Sequence, residues 1–528
     1  MNNINNIYNF QNYVRFFFDI DNFYKKYKKD FYDHQDNKLK QVTIWIEPLV
    51  FNMKKNDGDL RNINIPHILS FCQGLCIIEN SIEKSNELLR DIVKKDNSRM
   101  STNLKLGEFK KRNISKCIDE DLDLLNKYDV MLKFDICRFY NSIYTHDIKN
   151  EKLFTEENAD MLDKVLSSFN NGRTNLLIMG NYLSLVVAEE FLTKISNEII
   201  DKIVNDVNLK YDNRKKDFEI RYFSDNILIF CQNNKKEQIK NLLCNNTFLR
   251  LNVRFENEYN YLEWKCENKL KFYLSKIFYP LMKDENRNEK DLMKTWNEII
   301  YRISKLNTLK EQRILLLNFF RNKKFLDELG EYLNNVYEKI KPDLKYCINI
   351  APEILLFLTY NDSLIDKLSS KNDLERHCIN LLLKNFHSQL HDNQLYIFYF
   401  LYNMKWFKNG LYNGEQTFSE NDLLNSALEN KNYILVAYMI EYFDIPIKSV
   451  KAEMPISYFY LSDKIVRYFK ENNEEFDLDI KNEGNPRILL EKSFNFLREY
   501  CHKQEKSLLL LPLNDVRENI INYITERA

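Results

Sequence analysis

The sequence predicts an α+β core followed by an all-helical domain, and three observations support it. Strand-like alternation is confined to the first half of the chain, in runs such as "YDVMLKFDI" and "RYFSDNILIF". Long segments with apolar residues three and four apart lie between those runs. Past about residue 285 only helical patterns follow one another. The expected divisions are an N-terminal region over 1–125, a strand-bearing core over 126–285 and a helical domain over 286–528.

Taken in order, "NINIPHILSFCQGLCIIENSIEKSNELLRDIV" shows helical spacing after Pro66, so the first region is expected to be rich in helix. Val130, Leu132, Phe134 and Ile136 then alternate as a strand, which puts Asp135 at a strand end. A helical segment near Glu156 to Phe169 leads through "NNGRTN" into "IMGNYLSLVVAEEFLTKISNEIIDKIV", apolar enough on one side for a core helix. "RYFSDNILIF" reads as a hairpin with its tip at Asp225-Asn226, residue types that tolerate positive φ. In the last region "EQRILLLNFFRNKKFLDELGEYLNNVYEKI" and "PEILLFLTYNDSLIDKLSS" are amphipathic helices at irregular spacing, compatible with a HEAT-like repeat but without a strict period.

Composition narrows the function classes. The 528 residues exceed what one core usually supports, so two or three domains are expected. Seventy-seven basic side chains balance 77 acidic ones, so no global field draws the protein to nucleic acid or membrane, and phosphate binding has to be local. No apolar run reaches the roughly 18 residues of a membrane helix. The N-terminus lacks the basic start and long apolar run of a secretory signal. The ten cysteines show no Cys-x-x-Cys pair and are expected to be reduced thiols of a cytoplasmic protein.

The residues that carry chemistry are Asp135 and Asp225, each at the end of a predicted strand. Carboxylates on neighbouring strand ends can bridge two divalent cations about 3.5–4 Å apart, which activates a hydroxyl nucleophile and steadies a departing pyrophosphate. Oxygen ligands of this hardness suit Mg²⁺.

At these residues the chain resembles a family. "FDICRFYNSIYTH" resembles motif A of bacterial reverse transcriptases of the abortive-infection antiphage group, AbiK-like in type. "GNYLSLVVAEEFL" resembles motif B through Gly180, Ser184, Ala188 and Glu189, and "YFSDN" resembles motif C. The three occur in the order and spacing of that group, over roughly residues 60 to 280.

The resemblance implies a reverse-transcriptase-type fingers and palm ahead of the helical domain, and catalysis by Asp135, Asp225 and Asn226. Asp135 and Asp225 would hold Mg²⁺ or Mn²⁺. Ile136 would contribute its carbonyl, Tyr140 would be the aromatic gate under the sugar, and Gly180 and Asn181 would lie beside the nucleotide. It further implies antiphage defence by a homo-oligomer that makes single-stranded DNA from deoxynucleoside triphosphates, untemplated and primed on a protein hydroxyl. Tyr24, Tyr27 and Tyr32, in "YKKYKKDFYDHQDNKLK", are priming candidates by composition alone.

Two positions depart from the family pattern. Ile178-Met179 stand where motif B usually begins with Pro, and Asn226 replaces the second Asp of motif C. A neutral oxygen holds a cation more weakly than a carboxylate, so a metal-hungry enzyme is expected. Two other readings stay open: a degenerate reverse-transcriptase fold acting as a binding and assembly module, and a templated enzyme with an RNA partner, which the balanced charge disfavours. The basic run Lys110, Lys111, Arg112 and Lys116 is expected to be a solvated face, and His377, His387, His391 and His502 core or surface histidines.

Overall fold

Two antiparallel hairpins precede the central sheet. The computed structural model describes residues 13–18, 24, 48–55, 60–84, 100–103, 108–111, 114–150, 156–170, 172–174, 177–212, 216–223, 225–271, 288–409, 411–412 and 417–443, scattered positions from 445 to 468, and 510–525. Within it β1 (Leu49–Lys54) pairs with β2 (Leu60–Ile65), and β3 (Met100–Asn103) with β4 (Glu108–Lys111). The helices expected in this region are present at Ile68–Lys84 and Ile114–Lys127, so the N-terminal part is mixed and not purely helical. Period-two alternation explains the first hairpin, because Leu49, Phe51, Met53, Ile63 and Ile65 are all buried on one face.

The central sheet contains β5 (Val130–Ile136), β6 (Phe218–Phe223), β7 (Asn226–Cys231), β8 (Thr247–Phe248) and β9 (Leu251–Tyr259), in the order β6-β7-β5-β9-β8 with every neighbour antiparallel. The helix Tyr182–Asp206 separates β5 from β6, and the helix Lys236–Cys244 separates β7 from β8 and β9. That succession, with β5 inserted between β7 and β9, is the split βαβ arrangement.

Both faces of the sheet are buried at one end. Val130, Leu132, Phe134 and Ile136 of β5 join Ile227, Ile229 and Cys231 of β7 in the main core. The helix Tyr182–Asp206 covers this face with Leu183, Val186, Val187, Phe191, Ile195, Ile199 and Ile203, a stripe at helical spacing. Met131, Leu228 and Phe230 point the other way and pack with Ile118, Leu122, Leu125, Tyr128 and Trp264. The Trp264 indole donates to Asp121 Oδ2 at 3.2 Å, tying the helices Tyr261–Glu267 and Ile114–Lys127 together over this second face.

From Glu289 onward the described chain is helical apart from one two-residue strand pair, Leu411–Tyr412 with Thr417–Phe418. Residues 13–18 belong with this half. Tyr13 meets Phe357 and Tyr523 edge to face, Phe18 bridges to Leu510, and the Tyr438 hydroxyl donates to the Phe17 carbonyl at 3.1 Å. The start of the expected N-terminal region therefore packs on the helical domain.

Helical-domain side chains also close the outer edge of β1. The Asn52 amide donates to His391 Nδ1 at 3.2 Å and the Lys54 amide to Asp392 Oδ2 at 3.3 Å. Arg313 donates to the carbonyls of Lys54 and Lys55 and forms a buried ion pair with Glu353. Because His391 accepts at Nδ1, its proton sits on Nε2, which donates to the Asn430 carbonyl at 2.8 Å. Burial pushes this imidazole down to about 4, and burial together with Glu353 raises the Asp392 carboxyl to about 7. An edge covered this way offers no template for further strand pairing. No described helix is long and apolar enough to cross a membrane, and the described cysteines are free thiols.

Candidate active site

Asp135 and Asp225 meet through strand register. Asp135 of β5 stands directly across from Asn226 of β7, and the Ile136 amide donates to the Asp225 carbonyl at 2.8 Å. Asn226 also pairs with Phe223 across the β6–β7 hairpin, so it is the first residue of β7 and not part of the tip. The expected tip is thus one residue too late, while Asp225 keeps its place at the hairpin turn. The Asn226 side-chain amide donates to Asp225 Oδ1 at 3.0 Å, which holds the two side chains side by side.

Directly opposed residues share a sheet face. Asp135 and Asn226 therefore lie on the face that carries Met131, Leu228 and Phe230. Helices cover that face at the Met131 end, whereas at the Asp135 end it is open enough to leave the Arg254 side chain 65% exposed. Asp135 itself is only 19% exposed. Burial, then the neighbouring charges of Asp225 and Glu256, raise its pKa, and Arg254 and Lys133 pull the other way. The charge of Asp225 acts unfavourably on ionised Asp135, a repulsion that a cation between the two would relieve.

The remaining residues follow the chain out of β5. Arg138 adopts a left-handed conformation, φ 50°, before the one-turn helix Phe139–Ser142, so the backbone turns sharply just past Asp135. Tyr140 is half-buried against the main core with its ring edge-on to Phe139. Its carbonyl accepts from the Leu177 amide at 2.9 Å, which links it to the segment leading to Gly180. Gly180 has φ +99°, and a Cβ there would lie 2.2 Å from Ile63 Cγ2 of β2. Only glycine suits both constraints.

Asn181 is buried and caps the helix Tyr182–Asp206, accepting from the Ser184 amide at 2.9 Å and donating to the Ile178 carbonyl at 3.1 Å. Its side chain serves the helix start and fixes the backbone next to Gly180. Gly180→Ala is expected to destabilise the fold by about 1–3 kcal/mol from backbone strain, with the clash against Ile63 in addition. Thermal melts should show Ile63→Ala relieving the second part only.

Sequence reasoning missed Arg254 and Glu256. The β5–β9 register shifts between Lys133 and Phe134, so Lys133 faces Asn257 but Phe134 faces Phe255 and Asp135 faces Arg254. Glu256 is the extra residue of this bulge, and it pairs with Lys133 at 2.5 Å. No spacing rule in "LNVRFENEYNY" announces a bulge. His146, the last residue of the motif A stretch, has its Nδ1 2.5 Å from Asp163 Oδ2, a partner that the sequence does not indicate.

Of the priming candidates, Tyr24 is buried with its hydroxyl on Cys76 Sγ at 3.5 Å, a poor position for a nucleophile, and Tyr27 and Tyr32 lie outside the described residues. Lys116 is exposed, as a solvated charge would be; Lys110 and Lys111 lie on β4, and Arg112 is outside the described residues. His391 is a core histidine of the β1 clamp, and His502 is outside the described residues.

Among the described residues no group of three or more His, Cys, Asp and Glu side chains gathers to hold a metal. Two adjacent carboxylates fit a hard divalent cation that keeps several waters and takes further ligands from phosphates. No protein-family model matches the chain, and no curated protein matches it.

Proposed function

We propose that this protein is a reverse-transcriptase-like nucleotidyltransferase that adds deoxynucleotides in an antiphage role, with Asp135 and Asp225 as its metal-holding carboxylates. The observation that carries the proposal is the register that sets Asp135 against Asn226 and bonds Ile136 to Asp225. A divalent cation at these carboxylates would activate the attacking hydroxyl and neutralise charge on the triphosphate. The chain's own residues do the rest. Gly180 lets the backbone approach the nucleotide, Tyr140 bounds the sugar, and the open end of the sheet face admits the substrate. Untemplated synthesis, priming on a protein hydroxyl and assembly into a homo-oligomer belong to the same proposal through the family resemblance.

The direct test is incubation of the purified protein with labelled deoxynucleoside triphosphates and Mg²⁺ or Mn²⁺, followed by a denaturing gel with and without protease. Label that migrates with the protein until protease releases it is the expected result. No incorporation with either metal would leave a binding module as the better reading.

Asn226 supplies a second test. Asn226→Asp removes the amide that donates to Asp225 and adds a third anion opposite Asp135. Without metal the variant should melt below wild type, through like-charge repulsion. With Mg²⁺ it should recover, because a ligand that binds only the folded state stabilises it. Half-maximal incorporation should need on the order of threefold less Mg²⁺ or lower still. Identical metal midpoints in the two proteins would retire the tuning role of Asn226.

A further inference from the structure

The bulge in β9 decides which side chain Asp135 faces. Continuing the Lys133–Asn257 register without a shift would set Phe255 against Asp135 and turn Arg254 to the opposite face. The extra residue at Glu256 reverses this. Phe255 packs edge to face on Phe134 in the main core, and Arg254 Nη2 comes to 3.3 Å from Asp135 Oδ2. Bulges of this kind re-aim side chains beside active sites.

The contact that results is a loose one. Arg254 reaches Asp135 through one nitrogen, its side chain is 65% exposed, and Glu256 is 4.0 Å away and already engaged by Lys133 at 2.5 Å. Exposed single contacts of this type are weak and easily exchanged. The planar fork of a guanidinium nevertheless matches phosphate oxygens. Asp135 itself stands among two further carboxylates, Asp225 and Glu256, and two cations, Arg254 and Lys133.

We propose that Arg254 is a substrate-binding residue for the phosphates of a nucleoside triphosphate, resting on Asp135 when no cation is bound and moving to the phosphate oxygens when a divalent cation takes its place on the carboxylate. The inference rests on the nucleotidyltransferase reading of the same site. It requires two opposite effects of one side chain. Arg254 competes with the cation for Asp135 when no nucleotide is bound, and holds the triphosphate once the cation is there. An arginine that only paired with Asp135 would produce the first effect without the second.

The test uses the full chain with Arg254→Gln and Arg254→Lys, neither of which disturbs the buried core. Mn²⁺ binding without nucleotide is read from the loss of the free-ion electron paramagnetic resonance signal. Binding of a non-hydrolysable deoxynucleoside triphosphate analogue is then measured at saturating Mn²⁺. Arg254→Gln should bind Mn²⁺ about threefold tighter. It should bind the analogue about tenfold weaker or worse, through the loss of charge-assisted hydrogen bonds. Arg254→Lys should restore the wild-type Mn²⁺ midpoint but only part of the analogue affinity, because a lysine lacks the fork. Mn²⁺ binding by wild type with no change in either quantity in Arg254→Gln would overturn the assignment of Arg254 alone. No Mn²⁺ uptake by any of the proteins, with no incorporation by wild type, would overturn the nucleotidyltransferase reading and the role of Arg254 with it.

Discussion

Asp135→Asn is expected to abolish nucleotide incorporation while leaving the protein as stable as wild type or more so. The two effects have different origins. Loss of the carboxylate removes a cation ligand, worth several kcal/mol of transition-state stabilisation, or about a 10³-fold loss of rate. Stability runs the other way. Burial and the charge of Asp225 raise the Asp135 pKa, so the folded state holds this proton more tightly than the unfolded chain does. The resulting destabilisation is absent below the unfolded-state pKa, grows as pH rises through the interval up to the raised folded-state value, and stays constant above it. Asn carries no charge to repel Asp225, and its oxygen still accepts from Arg254. Melting curves of the two proteins should therefore agree at acid pH and separate in favour of Asn above the carboxylate range. Wild-type incorporation by Asp135→Asn would remove the paired-carboxylate site altogether.

Arg313→Met is expected to be the most destabilising change outside the site, by about 3–5 kcal/mol. The guanidinium is buried, pairs with the buried Glu353 and donates to the Lys54 carbonyl at 3.1 Å and the Lys55 carbonyl at 2.9 Å. Its removal strands a buried carboxylate and two carbonyls together. It also takes away the cation that holds Asp392 down against burial and Glu353. A second change, Glu353→Gln, removes the stranded charge and should recover a large part of the loss but not all, because the carbonyls stay without their donor. Urea unfolding followed by far-ultraviolet circular dichroism reads both steps. A midpoint for Arg313→Met that matches wild type would show that the ion pair does not hold the first hairpin in solution.

The sequence made some of this legible and concealed the rest for identifiable reasons. The alternation of Val130, Leu132, Phe134 and Ile136 marks β5 because only one set of its side chains enters the main core, and period two survives in the sequence. The helix Tyr182–Asp206 is equally plain, from its apolar stripe and from Asn181 at its start. The start of β7 was not legible to the residue. Ile227 to Cys231 are buried on both faces, so the run has no phase that says whether Asn226 is strand or turn. The pairing of Asp135 with Arg254 depends on a bulge between distant strands, and nothing local in either strand encodes a register shift. The β1 clamp lay furthest out of reach, since His391, Asp392 and Arg313 read as ordinary helix residues until β1 is laid against them.

That clamp fixes an order of events in the making of the molecule. The Asn52 amide waits for a histidine 339 positions further along the chain. Synthesis runs from the N-terminus, so β1 and β2 emerge and can pair long before the helices that complete them exist. During that interval the outward amides of Asn52 and Lys54 and the Lys54 carbonyl have only water, or a chance strand from another chain, as partners. The hairpin that packs on Gly180 through Ile63 is thus begun among the first parts of the protein and finished among the last. A ribosome that stops before His391 releases a chain whose first strand still has an open edge.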